Sequence, residues 1–148
     1  MSVLLDASAL LNIVRSLGPD ALNYIKGCYE LAITPYEIGN AIWKEATLLG
    51  RLTIDEALTL LNLISLIHRH LNIVNPRNTV AVLKLAYELR ITYYDASYVV
   101  AANELGLPLV TDDTKLRKRL ESSMDVVAEM LGKKVEVLSS SEYTAKRK

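Results

Sequence analysis

The sequence predicts an α/β domain with three α/β/α layers, in which helices cover both faces of a central, mainly parallel sheet. Short apolar segments alternate along the chain with longer segments of helical periodicity, the order of elements typical of parallel sheets. The 148 residues contain no internal repeat and no internal linker, and they are enough for one domain with a sizeable core. We therefore expect a single domain over residues 1–138, followed by a polar, flexible tail over residues 139–148.

Five short apolar segments are the candidate strands of this sheet. The third of them is also compatible with an extended linker, because a proline turn follows it directly. The predicted strands are residues 3–5, 31–34, 71–74, 109–111 and 135–138.

Glycines and capping residues divide the rest of the chain into helices. Gly27, Gly50 and Gly106 stand where helical periodicity stops, as expected for residues that end a helix. Thr53 and Glu56 have the spacing of a capping box, which predicts that a helix starts there. The predicted helices are residues 7–15, 20–26, 35–49, 53–67, 78–89, 94–105, 114–121 and 124–131.

The composition excludes several classes of protein. Lys and Arg together number 17, as do Asp and Glu, so bulk charge does not predict a protein that coats nucleic acid. Cys28 is the only cysteine, which excludes an intrachain disulfide and argues against a cysteine-based zinc site. No basic region precedes the apolar N-terminal residues, and the apolar segment over residues 58–67 is too short to span a membrane. We expect a soluble cytoplasmic protein.

Carboxylates follow predicted strands or open predicted helices at four separate places. Asp6 follows the first strand, and Glu37 and Asp95 lie in the first turns of their helices. Asp112 and Asp113 follow the strand that precedes the seventh helix. In a parallel sheet such positions share the edge at the carboxyl ends of the strands, where ligands bind. Taken alone, each acid is more readily interpreted as an ordinary helix cap, although Glu37 is a weaker cap because it lies inside the first turn.

Taken together, these acids repel one another if they converge. A pair of close carboxylates costs on the order of 4 kcal/mol at an effective dielectric constant of about 20. The groups must therefore take up protons or bind a cation. Because oxygen ligands select hard cations, the convergence predicts a site for Mg²⁺ or Mn²⁺.

Three polar residues are candidates for holding a carboxylate or a bound water in place. Ser8 lies two residues after Asp6, Asn40 lies three residues after Glu37, and Thr111 directly precedes the acidic pair. Ser8 and Thr111 are equally compatible with a role as local caps of the backbone.

Segments in this order resemble the PIN-domain family of metal-dependent ribonucleases, and its VapC-type toxins in particular. The opening strand of the family, with its Asp-x-Ser element, is similar to LLDASALLNIV, and its second acidic element is similar to TPYEIGNAIWKE. Its Asp-Ala-x-Tyr helix and Thr-x-Asp strand end are similar to YYDASYVVAANELGLPLVTDD. The resemblance covers about residues 3–138 and implies a PIN-like version of the predicted fold.

The resemblance assigns the catalytic and metal-binding acids to Asp6, Glu37, Asp95 and Asp113. The resemblance places Asp112 at the variable middle position of the Thr-x-Asp element. Asp112 would then lie next to the metal ligands without contacting the metal. The resemblance implies a Mg²⁺- or Mn²⁺-dependent endoribonuclease that hydrolyses RNA phosphodiester bonds and acts as a toxin. It also implies three partners, which are the RNA substrate, a small antitoxin protein and a second copy of the chain in a homodimer.

Basic residues directly after the acidic pair are candidates for contacts with RNA phosphates. They are Lys115, Arg117, Lys118 and Arg119. A solvated helix face is an equally good interpretation of any one of them. His68 and His70 are two residues apart and cannot face the same way on one continuing helix, so we expect both to be exposed surface residues.

The helix predicted over residues 53–67 is apolar around most of its circumference. Thr59, Asn62 and Ser65 mark only a thin polar stripe. Because a surface helix needs a single apolar stripe, the extra area predicts a place deep in the core, a homodimer contact or a groove for a partner helix.

Other functions are compatible with parts of this pattern. A phospho-acceptor receiver domain also has acids at a sheet edge, but it needs clustered Asp residues after the first strand and a Lys after a late strand. A catalytically silent PIN-like fold would serve as an RNA-binding or interaction module. A third alternative is an RNA-processing nuclease that is not a toxin.

Overall fold

The computed structural model describes all 148 residues and contains a five-stranded sheet in which every neighbouring pair of strands is parallel. The strands are β1 (Leu4–Leu5), β2 (Tyr29–Leu31), β3 (Asn72–Val74), β4 (Leu109–Val110) and β5 (Val137–Leu138). Their spatial order is β3-β2-β1-β4-β5, so the order of strands reverses between β1 and β4. The predicted α/β fold class with a parallel, PIN-like sheet is confirmed.

Helices fill the connections between the strands. They are α1 (Ala7–Leu17), α2 (Ala21–Ile25), α3 (Thr34–Thr47), α4 (Ile54–His68), α5 (Thr79–Leu89), α6 (Tyr93–Leu105), α7 (Thr114–Leu131) and α8 (Ser140–Lys146). The capping box at the start of α4 is confirmed, because Thr53 Oγ1 accepts from the Glu56 N–H at 3.1 Å and Glu56 Oε2 accepts from the Thr53 N–H at 2.9 Å. None of the helices is both long and apolar enough to cross a membrane.

Two apolar cores, one on each face of the sheet, explain why β1, β4 and β5 are apolar throughout. Leu4 and Leu5 are adjacent in β1 and both fully buried, but they belong to different cores because successive side chains of a strand point to opposite faces. The Leu5 core includes residues of α1, α2, α3 and α4, and the Leu4 core includes residues of α5, α6 and α7. The predicted three-layer arrangement is therefore present.

The boundary between β2 and α3 differs from the prediction. The second strand was expected at residues 31–34, but β2 ends at Leu31 because Thr34 is already the first residue of α3. The Thr34 hydroxyl oxygen accepts from the Leu31 N–H at 3.1 Å, which stabilises the turn between them. The two helices predicted over residues 114–121 and 124–131 are present as the two parts of α7, which are separated by a kink at Ser123.

The C-terminal residues differ more strongly from the prediction of a flexible tail over residues 139–148. Residues 140–146 form helix α8, which begins with a capping box between Ser139 and Glu142. The Tyr143 side chain is fully buried in the core that contains Leu5, and its hydroxyl group donates to the Tyr24 carbonyl oxygen at 2.7 Å. A single buried tyrosine thus anchors a segment that is polar on average.

The prediction that His68 is an exposed surface residue is wrong. His68 ends α4, and its Nδ1 lies 2.8 Å from a carboxylate oxygen of Glu30, which is fully buried in β2. A buried acid needs a hydrogen-bonding or charged partner, and His68 is the one that the fold provides. His70 is exposed, as predicted.

Candidate active site

The topology of the sheet brings four of the predicted acids to one edge. Asp6 directly follows β1, and Asp113 lies three residues after the end of β4, the strand that pairs with β1. Glu37 and Asp95 lie in the first turns of α3 and α6. Helix α3 follows β2 and α6 leads into β4, so both helices begin at the carboxyl edge of the parallel sheet.

These four acids line one open cleft of about 210 Å³. The cleft lies beside the reversal of strand order, where open α/β sheets bind their ligands. It is lined by Asp6, Ala7, Ser8, Leu11, Glu37, Ala41, Asp95, Tyr98 and Asp113. The geometry therefore agrees with the convergence expected from the sequence.

Asp6 has both a local role and a place in the cleft. Its Oδ1 caps α1 by accepting from the Ala9 N–H at 2.9 Å, and it also accepts from the Ser8 hydroxyl at 2.7 Å. Burial raises the pKa of the Asp6 carboxyl to about 6, and the nearby charge of Asp112 adds to the increase. Hydrogen bonds from Thr111, Ala9 and Ser8 act in the opposite direction but do not offset the burial. A role as a helix cap alone does not explain a carboxyl group whose charged form is disfavoured by burial.

The pKa of the Asp95 carboxyl depends on its burial and on the other acids of the cleft. Burial raises the pKa of its carboxyl, and the negative charges of Asp113 and Glu37 raise that pKa further. Its backbone N–H donates to the Thr92 hydroxyl oxygen at 3.0 Å, so Thr92 is the residue that caps α6. Asp95 is therefore not needed as the cap of its own helix.

Glu37 is held by a residue that the sequence interpretation did not select. The Tyr98 hydroxyl donates to Glu37 Oε1 at 2.7 Å and lies 2.6 Å from the Thr34 hydroxyl. Burial raises the pKa of the Tyr98 phenol, so this group stays protonated and keeps its donor. The available signal was the Asp-x-x-Tyr spacing, which places Tyr98 one helical turn after Asp95.

The adjacent acids Asp112 and Asp113 have different surroundings. Asp113 Oδ1 caps α7 by accepting from the Lys115 and Leu116 N–H groups, both at 3.0 Å, while its side chain lines the cleft. Asp112 does not line the cleft, and its two carboxylate oxygens accept from the Ser140 N–H and from Asn12 Nδ2, both at 2.8 Å. Of the two, Asp113 is placed to face a bound cation.

The donor set of the cleft suits a hard cation. None of the ion pairs in the chain involves Asp6, Glu37, Asp95 or Asp113, so no Lys or Arg neutralises these acids. Their hydrogen-bond donors are neutral hydroxyl and backbone groups. The acids do not form a ready cluster of three or more with the spacing of metal ligands.

Some of the predicted neighbours lie in the site and others do not. Ser8 lines the cleft, and Thr111 is fully buried behind it with its hydroxyl 3.5 Å from that of Ser8. Asn40 is exposed and makes no hydrogen bond to Glu37, whereas Ala41, one residue further along α3, does line the cleft. Of the two residues one turn after Glu37, Ala41 and not Asn40 therefore faces the cleft.

The four basic residues of α7 also separate into two pairs. Arg117 and Lys118 line a groove of about 580 Å³, together with Thr114, Glu121, Met124 and Val137. Lys115 and Arg119 are exposed and do not line it. Arg117 forms an ion pair with Glu142 of α8 at 3.2 Å, and Lys118 forms no ion pair.

Comparisons with known proteins agree with this architecture. No family model matches the chain. The sequence is 39% identical to the exonuclease VapC9 of Pyrobaculum aerophilum over 126 residues, which is 83% of this chain and 89% of that protein. The structure is similar to the crystal structure of PAE2754 from Pyrobaculum aerophilum, with a TM-score of 0.67 and 27% identity over 90% of this chain and 97% of that one.

The parallel sheet and the acidic cleft at its carboxyl edge define a PIN-like α/β domain. The identity with VapC9 extends over most of both chains, and this relationship specifies the family. The chain belongs to the VapC family of PIN-domain proteins.

The raised pKa of Asp6 predicts a pH-dependent gain in stability for Asp6→Asn. The folded protein binds a proton at Asp6 more tightly than the unfolded chain does, so the wild-type protein loses stability as the pH rises from about 4 towards 7. The change from 3.8 to about 6 corresponds to about 3 kcal/mol. Asn keeps the helix cap, so the variant should be more stable by up to about that amount at pH 8 and by much less near pH 4.5.

Urea unfolding in the presence of a chelator measures this difference across the pH range. Asp20→Asn is the matched control, because Asp20 is exposed and outside the cleft. A gain in stability of Asp6→Asn that is the same at every pH would contradict the assignment to the Asp6 carboxyl.

Proposed function

We propose that this protein is a Mg²⁺- or Mn²⁺-dependent ribonuclease that hydrolyses phosphodiester bonds in RNA. The observation that carries the proposal is the cleft itself, where acids from four separate segments converge without a basic partner. The name of the relative VapC9, an exonuclease, supports a nuclease as the general class. The receiver-domain alternative needs clustered Asp residues after β1, and Asp6 stands alone there.

The catalytic acids in this proposal are Asp6, Glu37, Asp95 and Asp113, which would hold the cation through carboxylate oxygens. A bound divalent cation activates water as a nucleophile and stabilises negative charge on phosphate oxygens. Ser8 and Tyr98 would keep the carboxylates of Asp6 and Glu37 oriented by the hydrogen bonds described above. Thr111 would support Ser8 from behind the cleft.

Two modes of cutting are compatible with this site. The family resemblance of the sequence implies an endonuclease, whereas the relative VapC9 is named an exonuclease. An endonuclease cuts within a strand, and an exonuclease needs a free end. We propose the endonuclease as the principal mode and the exonuclease as the second candidate, and a circular RNA distinguishes them.

Cleavage of one RNA in linear and circular form tests the proposal. With Mg²⁺ or Mn²⁺ we expect the wild-type protein to cut both forms, and we expect EDTA to abolish cutting. Asp95→Asn should reduce the rate by at least about 100-fold, because it removes a proposed ligand of the cation. Asp125→Asn is the control, because Asp125 is exposed on α7 and does not line the cleft.

Each other outcome of this experiment has a separate meaning. Cutting of the linear form alone would replace the endonuclease by the exonuclease. Binding of metal and RNA without cutting of either form would favour the catalytically silent binding module. Cutting that Asp95→Asn leaves unchanged would place the activity elsewhere and contradict the assigned site.

We propose that the groove along α7 binds the RNA backbone and that Lys118 makes the principal phosphate contact there. The groove begins at Thr114, next to Asp113 of the cleft, and Lys118 is free of ion pairs. Arg117 forms an ion pair with Glu142, which partly offsets its positive charge. Lys115 and Arg119 would attract RNA only through the long-range electrostatic field of the protein. A phosphate contact releases condensed counterions when it forms, so it makes binding depend on salt.

Lys118→Ala should weaken RNA binding and flatten its dependence on salt. Loss of one contact to single-stranded RNA lowers the slope of log affinity against log salt by about 0.7. Fluorescence anisotropy of a labelled RNA at several salt concentrations measures this slope. Lys84→Ala, which removes an exposed lysine of α5, is the control. An unchanged slope would exclude Lys118 as a phosphate ligand.

We propose that the protein is a toxin, that its antitoxin docks on α4, and that it forms a homodimer. The exposed fractions of Ile54, Leu58 and Leu66 are 67%, 48% and 56%, so this part of α4 does not lie deep in the core. Ile54 and Leu58 are one helical turn apart and form an apolar face suited to a partner helix.

Light scattering and growth assays test these partners. The dimer predicts twice the chain mass of 16.5 kDa. Leu58→Lys should leave that mass unchanged and abolish inhibition by the proposed antitoxin. Dissociation of this variant to a monomer would instead assign the α4 face to the dimer. Growth arrest that requires Asp95 would support the toxin, and normal growth with an active enzyme would favour the RNA-processing nuclease.

A further inference from the structure

Asp112 connects three elements that are far apart in the sequence. Its Oδ2 accepts from Asn12 Nδ2 of α1 at 2.8 Å, and its Oδ1 accepts from the Ser140 N–H, at the start of α8, at 2.8 Å. Both carboxylate oxygens therefore have hydrogen-bond donors from other elements. This leaves Asp112 poorly placed to bind a cation and well placed to fix the turn between β4 and α7.

The same turn is connected to the acids of the cleft. The Asp112 N–H donates to Ser8 Oγ at 2.9 Å, and the Ser8 hydroxyl donates to Asp6 Oδ1 at 2.7 Å. The next residue is Asp113, which lines the cleft. A shift of Asp112 would therefore move one acid directly through the backbone and another through Ser8.

Helix α8 is anchored independently of Asp112. Tyr143 is fully buried and donates to the Tyr24 carbonyl oxygen at 2.7 Å, and Arg147 donates to the Met1 carbonyl oxygen at 2.8 Å. These contacts fix the position of the Ser140 N–H relative to the core. Asp112 therefore accepts from a rigid donor and not from a mobile terminus.

We propose that α8 is a positioning element of the active site, which acts through Asp112 to hold Asp6 and Asp113 at the cleft. This inference rests on the proposed function for its effect on metal binding and catalysis. The structural part of the proposal is that α8 restrains Asp113, and this part does not depend on a bound metal. Groups that orient metal ligands in this way typically change metal affinity or activity by about 10- to 100-fold when they are removed.

Ser140→Pro removes the hydrogen bond from α8, and the proline Cδ takes the place of the N–H hydrogen, so the Asp112 carboxylate must move away. Ser140 is the first residue of α8, where proline is well tolerated, and the extended backbone of Ser139, with ψ of 164°, is compatible with a following proline. Ser140→Ala is the matched control, because it removes the side chain and keeps the N–H. We expect Ser140→Pro to weaken Mn²⁺ binding by about 10-fold and Ser140→Ala to bind like the wild-type protein.

Hydrogen exchange of the metal-free variants gives a second measurement. The Lys115 and Leu116 N–H groups donate to Asp113 Oδ1, so they should exchange several-fold faster in Ser140→Pro than in Ser140→Ala. The Glu56 N–H, in the capping box of α4, should not change. Equal exchange and equal Mn²⁺ affinity in the two variants would overturn the proposal.

Two substitutions of Asp112 separate positioning from direct metal binding. Asp112→Asn keeps both hydrogen bonds, because its Oδ1 can accept from the Ser140 N–H and its Nδ2 can donate to Oδ1 of a flipped Asn12 amide. Asp112→Ala removes both hydrogen bonds and should weaken Mn²⁺ binding by about 10-fold, whereas Asp112→Asn should bind Mn²⁺ nearly as well as the wild-type protein. Equal losses of affinity in the two variants would overturn the proposal, because they would show that the Asp112 carboxylate itself contacts the ion.

Failure of the proposed function would be distinct from failure of this inference. If the wild-type protein binds no Mn²⁺ and cuts no RNA, the nuclease proposal fails. The exchange of the Lys115 and Leu116 N–H groups would still decide whether α8 restrains Asp113.

Discussion

The burial of acids at one edge of a parallel sheet, without a basic partner, is the constraint on which the rest of the site depends. Asp6 and Asp95 both have raised pKa values, and no basic side chain pairs with either of them. The fold tolerates this cost because it is small beside the burial of two apolar cores. Stability lost in this way is typical of sites that are organised to bind a ligand.

Neutral hydrogen-bond donors orient these acids without neutralising their negative charge. The Ser8 and Tyr98 hydroxyls and the backbone N–H groups at the starts of α1 and α7 hold the carboxylates in place. A Lys or Arg in the same positions would compete with a cation for the oxygens. The residues that support the acids thus leave the net negative charge of the cleft intact, which is the property that a divalent cation requires.

The other chemically distinctive surfaces of the molecule lie outside the cleft. The cationic groove follows α7, which starts at Asp113 and leads away from the acids. The exposed apolar residues of α4 lie in the connection from β2 to β3, and none of them lines the cleft. This separation would allow a small domain to combine the proposed cation site, the proposed phosphate-binding groove and the proposed protein-binding face, because each uses a different type of side chain.

The order and type of nearly every element, and the four acids of the cleft, follow from the amino-acid sequence. These features depend on local periodicity, on caps such as Thr53 and on the position of each acid relative to a strand end. The three-dimensional contacts add that Asp112 is held by α1 and α8, and that α8 is anchored by Tyr143. Those outcomes depend on contacts across as many as 119 residues, which no local pattern encodes.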